Sequence, residues 1–169
     1  MTLGATLVNR SFWHAILTYS VLLATAGCGE DMATSPPGQS FAADISPKSQ
    51  WRATSVTMAE PDAAVDGRIQ TAAVGPATPK AELLIDLGKP CVFNRVVIDH
   101  GTNDDEAYPR QLALQTSMDG RTFYTRKLVL GTRWRTNITL ITPTLARFVR
   151  LEVKKAGTGS WRVAEVTLQ

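Results

Sequence analysis

The chain has 169 residues, enough for one ordinary domain plus targeting or linker segments. Its 44% hydrophobic and 20% charged residues exclude both wholesale disorder and a polytopic membrane protein. Its 18 Lys and Arg against 15 Asp and Glu leave a small surplus, and the tightest basic groups are Lys154-Lys155 and Arg133-Trp134-Arg135. Nucleic acid needs a continuous basic face, so it is not expected as a partner.

In chain order, Arg10 precedes an uncharged run from Ala15 to Ala26 that ends at Gly27-Cys28. A basic flank, about a dozen apolar residues and small residues at the end make a signal-peptide pattern over residues 1–27. As a helix, the run would cover about 18 Å, short of the roughly 30 Å of a hydrocarbon core, so a transmembrane helix is disfavoured. The stretch Thr25-Ala26-Gly27-Cys28 resembles the lipobox of bacterial lipoproteins, in which the cysteine becomes the lipidated first residue, although Thr25 stands where leucine is usual. This resemblance implies export and a lipid anchor on Cys28 in the cell envelope, most naturally the outer membrane. The alternative is ordinary cleavage nearby that leaves Cys28 a free thiol. Residues 28–44 are small, polar and proline-rich and read as a flexible tether. With Cys28 used by the anchor, Cys91 has no disulfide partner and is expected to be a small buried apolar residue.

From Ile45 to Gln169 the pattern is one of short β-runs broken by turn residues. Leu83–Leu87 stops at Gly88, Arg95–Asp99 at Gly101, and Leu112–Thr116 runs into Asp119-Gly120 before Phe123-Tyr124, a hairpin signal. Ile138–Ile141 stops before Pro143, Phe148–Val153 alternates apolar with charged residues, and Val163–Leu168 follows. No stretch keeps a helical period. The spacing predicts an all-β domain over residues 45–169, an antiparallel sandwich of two sheets with loops gathered at its ends. A monomer is expected.

The residues of this domain resemble the coagulation factor 5/8 type C, or discoidin, family, and within it carbohydrate-binding module family 32. The resemblance runs through Trp51–Ser55, Ala64–Thr71, Leu84–Gly88, Phe93–Ile98, Tyr108-Pro109-Arg110, Ser117–Phe123, Ala146–Leu151 and Gly159–Val166. It implies a jelly-roll β-sandwich that binds a ligand without catalysis. Ala73 is a departure, because members commonly carry tryptophan there, and the alanine- and proline-rich segment up to Leu83 puts the packing of that loop in question.

The resemblance also implies a structural calcium site. Carried over by position, it would use main-chain oxygens of Ala63, Arg68 and Ala164 and side-chain oxygens of Asp66, Thr71 and Glu165. Without a metal, Asp66 would cap a turn, Thr71 would lie on a strand and Glu165 would pair with an arginine. Sugar recognition needs an aromatic face and fixed polar groups. The loops around 102–110, 131–135 and 156–162 supply Trp134 and Trp161 as stacking surfaces, with Asp104, Tyr108 and Arg110 as polar partners. Each has a plainer role: Tyr108 and Trp161 could be core, and Arg110 could pair with Asp99 or Asp105. His100 is expected at a strand end, bonded locally. No GxSxG elbow, cysteine–histidine motif or phosphate loop is present, and catalysis is not expected. The function expected is a tethered carbohydrate-binding module; the alternative is an adhesion or assembly domain for protein or lipid headgroups.

Overall fold

The computed structural model describes residues 44–101 and 108–169, so Cys28, the signal segment, the tether up to residue 43 and Asp104 lie outside the described residues. Eight strands are described: β1 (Arg52–Thr54), β2 (Ala73–Pro76), β3 (Glu82–Asp99), β4 (Gln111–Ser117), β5 (Tyr124–Leu130), β6 (Arg135–Lys155), β7 (Ser160–Val163) and β8 (Glu165–Leu168). The only helical turns among them are the 3-10 turns Lys48–Gln50 and Pro61–Ala64. One sheet has the order β1-β3-β6-β4-β5 with β8 also on β3, β2 pairs with β7, and every pairing is antiparallel. The fold is therefore the all-β sandwich that the sequence led us to expect.

Two long strands replace four of the short runs. Leu83–Leu87 and Arg95–Asp99 belong to the single strand β3, and Ile138–Ile141 and Phe148–Val153 to β6. Their mutual ladder breaks between Asp86 and Cys91 and again between Phe93 and Arg95. Such irregularities let one strand bend from one layer to the next. The second break also explains why Pro143 is tolerated inside β6. Thr144 pairs with Phe93 and Thr139 with Arg95, so residues 140–143 have no partner on β3 and the missing N–H of Pro143 costs no ladder bond there.

Alternation along both strands places Leu83, Ile85, Leu87, Phe93, Val96 and Ile98 of β3 and Ile138, Val149, Leu151 and Val153 of β6 in one core with Trp51, Leu112 and Leu114. Cys91 is fully buried in it, as expected of a small apolar residue. β4, between β5 and β6, is buried over Leu112–Ser117. Its polar Gln115 is satisfied, donating to Glu152 Oε2 at 3.1 Å and accepting from Arg150 Nε at 2.6 Å. The hairpin at Asp119-Gly120 is present, but six residues, 118–123, connect β4 to β5 rather than a two-residue turn. Asp119 Oδ1 organises this connection by accepting from Arg121 N at 2.9 Å, Thr122 N at 2.8 Å and Ser117 Oγ at 2.8 Å. These bonds, that from Thr122 foremost, hold its carboxyl at a pKa of about 2.

The alanine-rich segment is packed. Ala73, Ala77 and Ala81 are buried in the same core as Trp161, which faces Gly75 in the β2–β7 register. A large side chain on β7 thus supplies volume where small residues line β2.

Candidate functional site

The pairs Asp99–Arg135, Gln111–Leu130 and Gln111–Lys155 bring the end of β3, the described residues Tyr108–Arg110, the β5–β6 loop and the β6–β7 loop to one end of the sandwich. They are tied together by close backbone approach. A Cβ on Gly131 would lie 1.8 Å from the carbonyl oxygen of Pro109, and one on Gly157 1.9 Å from that of Tyr108. The chain at Tyr108-Pro109 therefore fits between two glycines, one on each neighbouring loop.

Beside this junction is an open depression of about 620 Å³ lined by Ile69, Gln70, Asp99, Gly101, Trp134, Arg135 and Arg162. Trp134 is 53% exposed. The Arg133 guanidinium lies 4.5 Å from the centre of its ring. Asp99 accepts from Arg135 Nη2 at 2.7 Å and Nε at 3.1 Å, and its other oxygen accepts from Gly101 N at 2.9 Å.

His100 sits directly beneath, fully buried. Its Nδ1 is 2.8 Å from the carbonyl oxygen of Arg162 and its Nε2 3.0 Å from Thr136 Oγ1. A carbonyl only accepts, so Nδ1 carries the proton and Nε2 accepts from the Thr136 hydroxyl. That hydroxyl oxygen in turn accepts from Thr132 N at 3.1 Å, and His100 N donates to the carbonyl oxygen of Trp134 at 2.9 Å. One imidazole thereby fixes β7 and the loop that presents Trp134. Burial lowers its pKa below the usual 6.5, outweighing the bond to Arg162 and the nearby charge of Asp99.

The sequence-predicted site residues separate in the structure. Trp134 is at the depression. Trp161 is a correction: it is wholly buried, with its ring in the core and no face open to a ligand. Tyr108 and Arg110 pair with each other, the guanidinium 4.6 Å from the ring centre and Nη1 donating to the Tyr108 hydroxyl. Neither lines the depression. Asp99 has Arg135 as its ion-pair partner rather than Arg110. The residues that sequence reasoning did not select for the site are Gln70, Asp99, Arg135 and Arg162. Asp99 and Arg135 are register partners on β3 and β6, a long-range pairing with no local sequence signal.

The calcium set is only partly assembled. Asp66 Oδ2 accepts from Thr71 Oγ1 at 2.8 Å, Asp66 Oδ1 from Arg68 N at 2.8 Å, and the Thr71 hydroxyl is 2.9 Å from the carbonyl oxygen of Arg68. Glu165, however, forms an ion pair through Oε1 with Lys48, whose ammonium also donates to the carbonyl oxygen of Val166 at 2.9 Å. Glu165 Oε2 is buried without a partner. The Lys48 ammonium thus supplies the positive charge beside Glu165. As arranged, the donors do not fit a divalent cation, because Lys48 already meets the charge of Glu165. The partner of Glu165 is a lysine, not the arginine of the metal-free expectation.

The sequence pattern of the F5/8 type C domain matches residues 43–166, most of the chain. The chain belongs to the F5/8 type C family. Solved structures share its fold. The family 32 carbohydrate-binding module of Clostridium perfringens NanJ, in complex with galactose, is 15% identical with a TM-score of 0.63, over 72% of this chain and 95% of that one. Another Clostridium perfringens family 32 module, in complex with GalNAc-beta-1,3-galactose, is 16% identical with a TM-score of 0.65, over 72% and 96%. A chitosan-binding module of a Paenibacillus sp. IK-5 chitosanase/glucanase is 19% identical with a TM-score of 0.61, over 76% and 97%. No curated protein matches this F5/8 type C chain by sequence.

Proposed function

We propose that the chain is a non-catalytic carbohydrate-binding module tethered to the cell envelope through a lipid on Cys28. The observation that carries the sugar reading is Trp134, a half-exposed indole beside a depression whose other walls include Gln70, Asp99, Arg135 and Arg162. A pyranose presents C–H groups on one face and hydroxyls at its edge, and an aromatic surface next to fixed polar groups complements both. The galactose and GalNAc-beta-1,3-galactose complexes of the structural neighbours support this reading. Both ring nitrogens of His100 are engaged in the interior, which favours a structural over a general-base role. The anchor rests on the sequence pattern at Thr25–Cys28 and the polar segment after it. Outer-membrane attachment is part of the same proposal.

Titration of the purified chain with galactose-, glucose- and hexosamine-containing glycans tests the sugar reading. An open site of this size predicts monosaccharide affinity near the millimolar level, about −4 kcal/mol. Trp134→Ala should remove most of it while the melting temperature holds. Undiminished binding by Trp134→Ala, or no binding of any glycan by the wild type, refutes the reading.

A further inference from the structure

The depression beside Trp134 adjoins a second one of about 450 Å³, and the two share Ile69, Gln70, Asp99 and Arg135. Three guanidinium groups line the combined groove: Arg162 in the first part, Arg95 in the second and Arg135 in both. Two carboxylates line it as well: Asp99 is paired with Arg135, and Glu165 is paired with Lys48 through Oε1 while its Oε2 is buried without a partner. Arg95 and Arg162 have neutral partners. Arg95 donates to the side-chain oxygens of Gln169 at 3.2 Å and Asn137 at 3.1 Å. Among the described residues, Arg162 donates one long bond, 3.4 Å, to the carbonyl oxygen of Gln70. Neither forms an ion pair among the described residues.

Both side chains are partly enclosed by the wall of the groove. The Nε of each is buried and unpartnered. Arg162 Nε lies only 3.3 Å from where a Cβ on Gly101 would be, so the absence of a side chain at Gly101 makes room for the guanidinium. A solvated surface arginine gains little from an anion, whereas a partly desolvated one at the wall of a groove gains more, because its charge is less screened. Neutral sugar hydroxyls would leave both charges uncompensated. A carboxylate or sulfate can take two parallel N–H bonds from a guanidinium.

We propose that this groove binds an acidic glycan, with anionic groups on successive sugars meeting Arg162 and Arg95 while Trp134 stacks on a ring. The proposal rests on the carbohydrate reading and narrows its ligand class.

The test compares one polymer in two charge states. The purified chain is titrated with polygalacturonate and with the same polymer after its carboxyl groups have been reduced to neutral alcohols. Dextran sulfate and dextran form a parallel pair that separates carboxylate from sulfate. At least one acidic form should bind about tenfold more tightly than its neutral counterpart, the difference between charge-assisted and neutral hydrogen bonds, and less so at high salt. Arg95→Gln with Arg162→Gln should abolish that preference without lowering the melting temperature. Equal binding of acidic and neutral forms by the wild type overturns the proposal and leaves the carbohydrate reading intact. An acid preference that persists in the double variant overturns it too, since bulk charge would then be responsible. Binding to anionic vesicles with no binding to any of the four polymers or to neutral glycans overturns the carbohydrate reading itself.

Discussion

Replacing Lys48→Met removes one charge while keeping a stem of similar length near Trp51. The Lys48 side chain is 32% exposed and that of Glu165 13%. The pair is therefore intermediate between exposed bridges, worth about 0–1 kcal/mol, and fully buried ones, whose breakage costs about 3–5 kcal/mol. Allowing for Lys48's exposure and adding the lost bond to Val166 gives a cost of about 2 kcal/mol, or about 8 °C in melting temperature for a domain of this length. The assay is thermal unfolding of wild type and variant, each with chelator and with millimolar calcium. Wild type should melt at one temperature in both media, because its cation is the lysine. In Lys48→Met the Glu165 carboxylate loses its cation, and calcium drawn to that charge should restore part of the loss. A calcium site in the wild type, filled at 100 times its dissociation constant, would add about 2.7 kcal/mol, so a fall of several degrees in chelator would refute the reasoning. So would a variant that melts like the wild type.

Four other outcomes are defined. His100 titrates below 6.5 in the fold, so the unfolded chain binds the extra proton first and stability declines as pH falls below about 6.5; melting between pH 7.5 and 5 should show this slope, flattened in His100→Gln. Further acidification protonates Asp86, whose carboxyl is held below its usual range chiefly by the hydrogen bonds of Arg147, and a second loss of stability is expected below pH 3.8. Gly157→Ala must push the Tyr108 carbonyl aside at a cost of about 1–3 kcal/mol, read as a lower melting temperature; an unchanged one would show that the loops part freely. Cys28→Ser should abolish labelling by fatty acid and release the chain from membranes; unaltered membrane retention would point to the uncleaved segment as the anchor.

The strands were legible where alternation is local. Leu83–Leu87 and Arg95–Asp99 show their buried faces directly, but their union in β3 depends on bulges that only the pairing with β6 reveals. Pro143 reads as a strand end in sequence and is harmless in β6 because the opposite strand has no residue to pair with it. Ala73–Pro76 carries no strand signal and is a strand only through β7. Of the site, Trp134 was legible as an aromatic among polar neighbours. Trp161 has the same sequence surroundings, yet its place opposite Gly75 turns it inward. Lys48 reaches Glu165 across 117 residues, beyond any local pattern.

The seating of Tyr108-Pro109 between Gly131 and Gly157 divides the binding end into two kinds of position. Where carbonyl oxygens press on glycine, a side chain has no room, so these points behave like the stitched seam of a fabric. Between them Trp134, which is half-exposed, carries a side chain that can be exchanged without entering the seam. A library confined to that position should change which ligand the domain selects while leaving its folding largely untouched, whereas one that includes either glycine would lose most of its members to misassembled loops.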